Sequence, residues 1–439
     1  MSQANTVEKQ IMKRERSARP EAETSSWKKL STALRSIFFC SLLVLLVLFL
    51  VEGIFALAHI GEDTIVKPDP LLGYSHLENQ AITYRQEGFS KSKTNSFGFR
   101  EREFQVQKPP ATTRICVLGD SMTVGSEVPP EFTFTRLLEK ELNRNSKTHF
   151  EVLNCALSGY GTGQEFLAYR QKVQPLKPDI VILTYNVGDS DDNIFPREGM
   201  NTPRPLFSVK DGRLMANMQD VEKWYASNDA KFYLQFENFR RKCRIFAVLS
   251  KLNLDLNNSN SSYQLLTKSL GKPFSFAWNQ FLSRLPQQKA VSPRPELLTY
   301  QLPGESSFKR QKAFISASRN SSPTTMEIKQ AFELNDAKID VALAIVNALN
   351  LECKRSNCKL FVATGPALNN SMFYYKEIEA LKLAAARNGF EIIEANKEFP
   401  QRAPMQESPN FFGLHFTRAG HQIMSKAIYQ GLRKAEIPH

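Results

Sequence analysis

Six cysteines in 439 residues are too few for a disulfide framework to hold a chain of this length. No spacing of Cys, His, Asp or Glu follows a metal-ligand pattern, so no metal is expected. No internal repeat appears, which excludes a repeat array. Acidic residues are in the minority, 44 Asp+Glu against 57 Lys+Arg, for a formal charge of +13. That balance suits an anionic partner or a basic surface. At 42% hydrophobic and 23% charged residues, the chain is neither disordered throughout nor a polytopic membrane protein.

What is present begins with one long apolar run. Ser36–Val51 carries no charge, and the apolar stretch 36–60 holds a single acid, Glu52. Twenty-five residues exceed the roughly 20 that a membrane-crossing helix needs. Lys9, Lys13, Arg14, Arg16, Arg19, Lys28, Lys29 and Arg35 precede the run, whereas Glu62, Asp63 and Asp69 follow it against Lys67. This asymmetry places a basic tail, 1–35, in the cytoplasm and the body in the periplasm or outside the cell. A polar stretch of 35 residues before the run favours an uncleaved anchor over a signal peptide. A body outside the cytoplasm argues against nucleic acid as the anionic partner. There, a disulfide between Cys353 and Cys358 is permitted. Cys116 and Cys155 lie in apolar runs and read as core.

The body alternates apolar strands with helices. Arg114–Gly119, Phe150–Cys155, Asp179–Tyr185, Lys359–Thr364 and Phe390–Ala395 read as strands. Helices are expected around Phe134–Leu142, Gln164–Val173, Ile339–Leu349, Glu377–Arg387 and Ala419–Arg433. Five continuous apolar strands alternating with helices imply an α/β fold: a doubly wound, flavodoxin-like parallel sheet with helices on both faces. Residues 194–335 break the rhythm and read as an irregular insertion over one end of the sheet. It includes a hairpin expected around Asp211-Gly212 and a basic, aromatic stretch, Phe232–Leu252. Residues 61–112 form a lead-in to the domain 113–439.

Three strand ends carry polar motifs. Gly119-Asp120-Ser121 follows the first strand, and ligands bind at the carboxyl edge of such sheets. A Gly-rich loop, Ser158–Gly163, follows the second, and its backbone N–H groups can face a ligand. Asn186-Val187-Gly188-Asp189-Ser190-Asp191-Asp192-Asn193 follows the third. Of the six histidines, only His415 and His421 lie in the loop after the fifth strand and at the start of the last helix, His439 being the final residue. His415 is in the loop and can face the edge, while His421 lies within the last helix and reads as structural. A serine, a glycine, an asparagine and a histidine brought to one edge are ingredients of an acyl-transfer site.

These motifs resemble the SGNH (GDSL-type) hydrolase family, as ICVLGDSMTVG, VLNCALSGYGTGQE and GLHFTRAGH, with TNSFGFRERE similar to the lead-in of membrane-tethered members. The resemblance covers about 110–193 and 336–435. It implies that Ser121 is the nucleophile, that His415 activates it, and that the N–H groups of Ser121 and Gly159 form an oxyanion hole without a cofactor. The sequence departs from the family in two blocks. Gly188 stands where the third block has its oxyanion asparagine, leaving Asn186 or Asn193 as substitutes. Phe412 stands where the last block has the aspartate that orients the histidine, leaving a Ser-His dyad unless a backbone carbonyl or another acid serves, Glu407 being nearby. The expected activity is that of a membrane-anchored serine esterase or deacylase acting on small acyl esters, such as O-acetyl groups of an envelope polysaccharide. The alternatives are a catalytically degenerate domain that binds a glycan or protein, and a polysaccharide O-acyltransferase.

Overall fold

The computed structural model describes residues 2–60, 66–85, 87–144, 146–186, 188–196, 203–228, 230, 234, 243–245, 248, 299–301, 325–366, 372–399 and 415–437. The chain divides into two compact units. The first comprises Met1–Gly61 with Phe239–Leu252, and the second comprises the rest.

The first unit is built on α1 (Ser2–Leu57). Its segment Leu30–Leu57 has a mean hydropathy of 2.8 and is long and apolar enough to cross a membrane. The helix closes three residues short of the expected end at 60. Glu52, the acid in the apolar stretch, accepts the backbone N–H groups of Arg244 (2.6 Å) and Ile245 (3.0 Å).

The second unit contains a five-stranded parallel sheet. Its strands are β5 (Thr112–Leu118), β6 (His149–Asn154), β7 (Ile180–Tyr185), β11 (Lys359–Thr364) and β12 (Glu391–Ile393). They lie in the order β6-β5-β7-β11-β12, and every pairing is parallel. This is the doubly wound order expected from the sequence, with the topological switch point between β5 and β7.

Alternate residues of each strand feed opposite faces. Ile115, Val117, Ile180 and Ile182 pack with Phe134, Leu138 and Leu142 of α3 (Phe134–Leu142) and with Met424, Ile428 and Leu432 of α9 (Arg418–Lys434). Cys116, Leu118, Val181 and Leu183 face the other way. There they meet α4 (Thr162–Ala168), α7 (Thr325–Arg355) and α8 (Met372–Asn388). Strands buried on both faces need the unbroken apolar runs that the sequence shows.

The hairpin around Asp211-Gly212 is present as β8 (Leu206–Lys210) and β9 (Arg213–Asn217), joined by β10 (Thr299–Gln301). Both turn residues have positive φ, 50° and 69°, as a two-residue hairpin turn requires. Most of Phe232–Leu252 lies outside the described residues. Cys353 and Cys358 are unbridged thiols here. The Cys358 N–H donates to the Cys353 carbonyl at 2.8 Å, so the backbone closes this turn without a disulfide.

The lead-in does more than join the anchor to the sheet. It forms two small hairpins within the second unit. One is β1 (Val66–Asp69) with β2 (Gly73–His76), and the other is β3 (Ala81–Tyr84) with β4 (Ser90–Lys93). Four-residue strands leave too short a pattern for periodicity to detect.

Candidate active site

Ser121 opens α2 (Ser121–Val124) at the carboxyl end of β5, beside the switch point. Asp120 caps this short helix, accepting the Met122 N–H at 3.0 Å. A Cβ on Gly119 would fall 2.2 Å from Thr184 Oγ1 and 2.3 Å from Thr123 Oγ1. Only glycine lets the end of β5 approach this closely, which accounts for the first residue of the Gly-Asp-Ser motif.

His415 Nε2 lies 2.9 Å from Ser121 Oγ. The chain brings these atoms together across 294 residues of sequence, within the distance of a nucleophile and its base. On the far side of the ring, Nδ1 faces two carboxylates. Glu87 Oε1 is 3.1 Å away and Glu127 Oε1 is 3.3 Å away. Neither glutamate was a candidate from the sequence. Glu87 lies between β3 and β4, and Glu127 lies just after α2, so no local motif links either to His415. Phe412 and Glu407, the positions considered for the orienting acid, lie outside the described residues.

The two candidate asparagines have different roles. Asn193 accepts the Gly163 N–H through Oδ1 at 2.7 Å and donates through Nδ2 to Thr162 Oγ1 at 2.9 Å. It therefore anchors the start of α4. The Asn186 side chain points toward the first motif, donating through Nδ2 to Asp120 Oδ1 at 3.0 Å.

The aspartates between them are taken up within the fold. Asp189 Oδ2 accepts the Asn186 N–H at 2.8 Å, Asp192 pairs with Arg204 at 2.8 Å, and Asp191 pairs with Lys338. No cluster among the described residues could hold a metal ion. Burial, reinforced by Asp120, raises Asp189 well above the usual carboxylate range. Asp120 is itself raised to about 6, chiefly by burial.

Gly159 sits in the loop after β6, held from the lead-in. Tyr74 Oη donates to the Gly159 carbonyl at 2.5 Å. Tyr160 Oη donates back to the Tyr74 carbonyl at 2.5 Å. The Ser158 N–H donates to His76 Nε2 at 3.1 Å. His76 is fully buried, and burial lowers it to about 3, so it stays a neutral acceptor. His421 is also buried and lowered to about 3 by burial, and it accepts the Phe134 N–H at 3.2 Å. That is the structural role its place in the last helix predicts.

No family model matches the chain, and no curated protein does. Among solved structures, it is similar to TesA at a TM-score of 0.35 and 8% identity, covering 73% of this chain and 99% of that one. It is similar to a mutant of Axe2, an acetyl-xylooligosaccharide esterase from Geobacillus stearmophilus, at a TM-score of 0.32 and 13% identity, covering 73% and 94%. It is also similar to the lipase Lip_vut3 from a goat rumen metagenome, at a TM-score of 0.33 and 9% identity, covering 73% and 97%.

Proposed function

We propose that this chain is a membrane-anchored serine esterase or deacylase of the SGNH type, with its body outside the cytoplasm. One observation carries the reading: Ser121 Oγ and His415 Nε2 stand 2.9 Å apart at the carboxyl edge of the sheet. Ser121 Oγ attacks the ester carbonyl while His415 Nε2 takes its proton. The N–H groups of Ser121 and Gly159, with the Asn186 side chain near, face the developing oxyanion. The tetrahedral intermediate collapses as the alcohol leaves with the proton from His415. Water then attacks the acyl-serine, giving its proton to His415. The carboxylic acid departs, and that proton returns to Ser121. No step calls for a cofactor. The substrate class that suits an outward-facing site is a small acyl ester, such as an O-acetyl group on an envelope polysaccharide.

The test uses the full chain in detergent, compared with Ser121→Ala, exposed to a serine-reactive fluorophosphonate and to p-nitrophenyl acetate. Labelling and turnover are expected in the parent alone. No labelling of either folded protein would replace this reading with that of a glycan- or protein-binding domain. Transfer of the acetyl group to an added sugar in preference to water would make the chain an acyltransferase.

A further inference from the structure

Two glutamates converge on the side of His415 that faces away from Ser121. Glu87 engages it twice, with Oε1 3.1 Å from Nδ1 and Oε2 accepting the His415 backbone N–H at 3.1 Å. One carboxylate thus addresses both the ring and its backbone. Glu127 Oε1 lies 3.3 Å from the same Nδ1.

The fold is shaped to bring these two glutamates together. A Cβ on Gly88 would fall 2.3 Å from the Glu127 carbonyl oxygen, so the lead-in turn touches the Glu127 backbone. Ser90 Oγ donates to the Ser126 carbonyl at 2.5 Å. The Arg100 guanidinium, buried between the two segments, donates to the carbonyls of Val124 (3.1 Å), Gly125 (2.8 Å) and Val128 (2.7 Å). These bonds fix the turn that carries Glu87 against the loop that carries Glu127.

We infer that Glu87, with Glu127 beside it, is the positioning carboxylate of His415, supplied by the lead-in and the loop after α2. The inference rests on the Ser121–His415 reading. An Nδ1–H directed at a carboxylate leaves the Nε2 lone pair facing Ser121 Oγ and stabilises the imidazolium formed when Nε2 takes the proton. The charged groups around this ring are Glu87 from the β3–β4 turn, Glu127 from the loop after α2, and Asp120 at the head of α2. Beyond Glu127 lies Arg100. Burial, chiefly, raises the Glu127 carboxyl, while the charge of His415 draws it back down. Its Oε2 is buried with no hydrogen-bond partner among the described residues. The more exposed Glu87 is therefore the principal acceptor, and Glu127 adds field from the buried side.

The test uses the full chain in detergent with Glu87→Gln, Glu127→Gln, the double variant and Glu87→Asp. Steady-state turnover is measured across pH, and His415 is titrated by NMR, its signal assigned by loss in His415→Ala. Glu87→Gln should lower kcat roughly 100-fold and the double variant roughly 10,000-fold, the scale of losing the acid of a triad, with KM within about twofold. Glu87→Asp should recover part of the loss. In the double variant, both the acid limb of kcat/KM and the His415 midpoint should move to lower pH, because an anion beside the ring has gone. Unchanged kcat in the double variant would overturn the inference. So would lost activity with an unmoved His415 midpoint, which would make the glutamates merely structural. A parent without turnover whose His415 midpoint still falls in the double variant would keep the positioning role and remove the esterase reading.

Discussion

The two ends of strand β5 both carry buried charge, and they treat it in opposite ways. At the amino end, Arg114 is fully buried and four of its five N–H donors are engaged. They go to Glu151 (2.6 Å) and to the carbonyls of Val106 (2.8 Å), Leu176 (2.7 Å) and Gln105 (2.8 Å). Beside it, Asp179 accepts the Arg114 N–H at 2.7 Å and takes Lys108 Nζ at 2.5 and 2.6 Å. At the carboxyl end, satisfaction is incomplete. Among the described residues, both oxygens of the buried Glu165, one oxygen of Glu127 and Nδ1 of His76 have no hydrogen-bond partner. Burial raises Glu165 well above the usual range, with Asp189 and Asp120 adding to it. Where every group is paired, charge fastens the sheet to its surroundings. At the other end the same burial leaves polar atoms whose bonds the described residues do not fill.

The comparison can be broken most directly at Arg114. Arg114→Ala leaves Glu151 without its guanidinium and opens three backbone carbonyls. It should cost about 3–5 kcal/mol in urea unfolding, as expected for one half of a buried pair. Ser121→Ala and His415→Ala should leave that unfolding midpoint nearly unchanged while abolishing turnover. If the two sets of variants behaved alike, the division between fastening and reacting ends would be wrong.

A second test sharpens the comparison through pH. His76 and His421 bind protons less readily in the fold, at about 3, than at the ordinary imidazole value of 6.5. Between those limits the unfolded chain holds more protons, so their contribution is full above about pH 6.5 and is lost as pH falls toward 3. Asp120, raised to about 6, acts in the opposite sense. Its contribution is full below its ordinary value of 3.8 and is lost as pH rises to 6. Asp189 and Glu165, also raised by burial, act with Asp120, so the test is differential: on acidification the melting temperature of His421→Gln should fall less, or rise more, than that of the parent. An unchanged slope would mean that His421 binds protons as readily in the fold as in the unfolded chain.

A smaller effect is expected at the turn that carries Glu87. Gly88→Ala adds only a methyl group, yet it must push the turn away from the Glu127 carbonyl. Turnover should drop about tenfold, of the order seen when a positioned group shifts by part of an ångström, with little change in melting. The smallest effect is expected at an exposed pair near neither end. Arg144→Ala removes a contact to Glu141 at 3.5 Å and should change stability by no more than about 0.5 kcal/mol.

Much of this was legible in the sequence, for a physical reason. A strand buried on both faces must be apolar along its length, so the five runs announced themselves, as did their parallel order. Ser121, Gly159 and His415 could be named as candidates because strand ends of such a sheet converge on one edge. Asn186 and Asn193 could not be separated from sequence, because the difference lies in which neighbours their amides reach. Glu87, Glu127 and His76 were missed because each acts through a turn that folds back across tens or hundreds of residues. The only local sign was Gly88 next to Glu87, between two short polar strands, and a glycine in a turn has many explanations.

The touch between Gly88 and the Glu127 carbonyl ties two stretches of chain into one unit of inheritance. Lengthening either turn by a residue would displace its glutamate from the imidazole. A compensating change in the other turn could restore the clearance between them without restoring that aim. Descendants of this sequence should therefore keep the spacing of 84–90 and 121–128 in step.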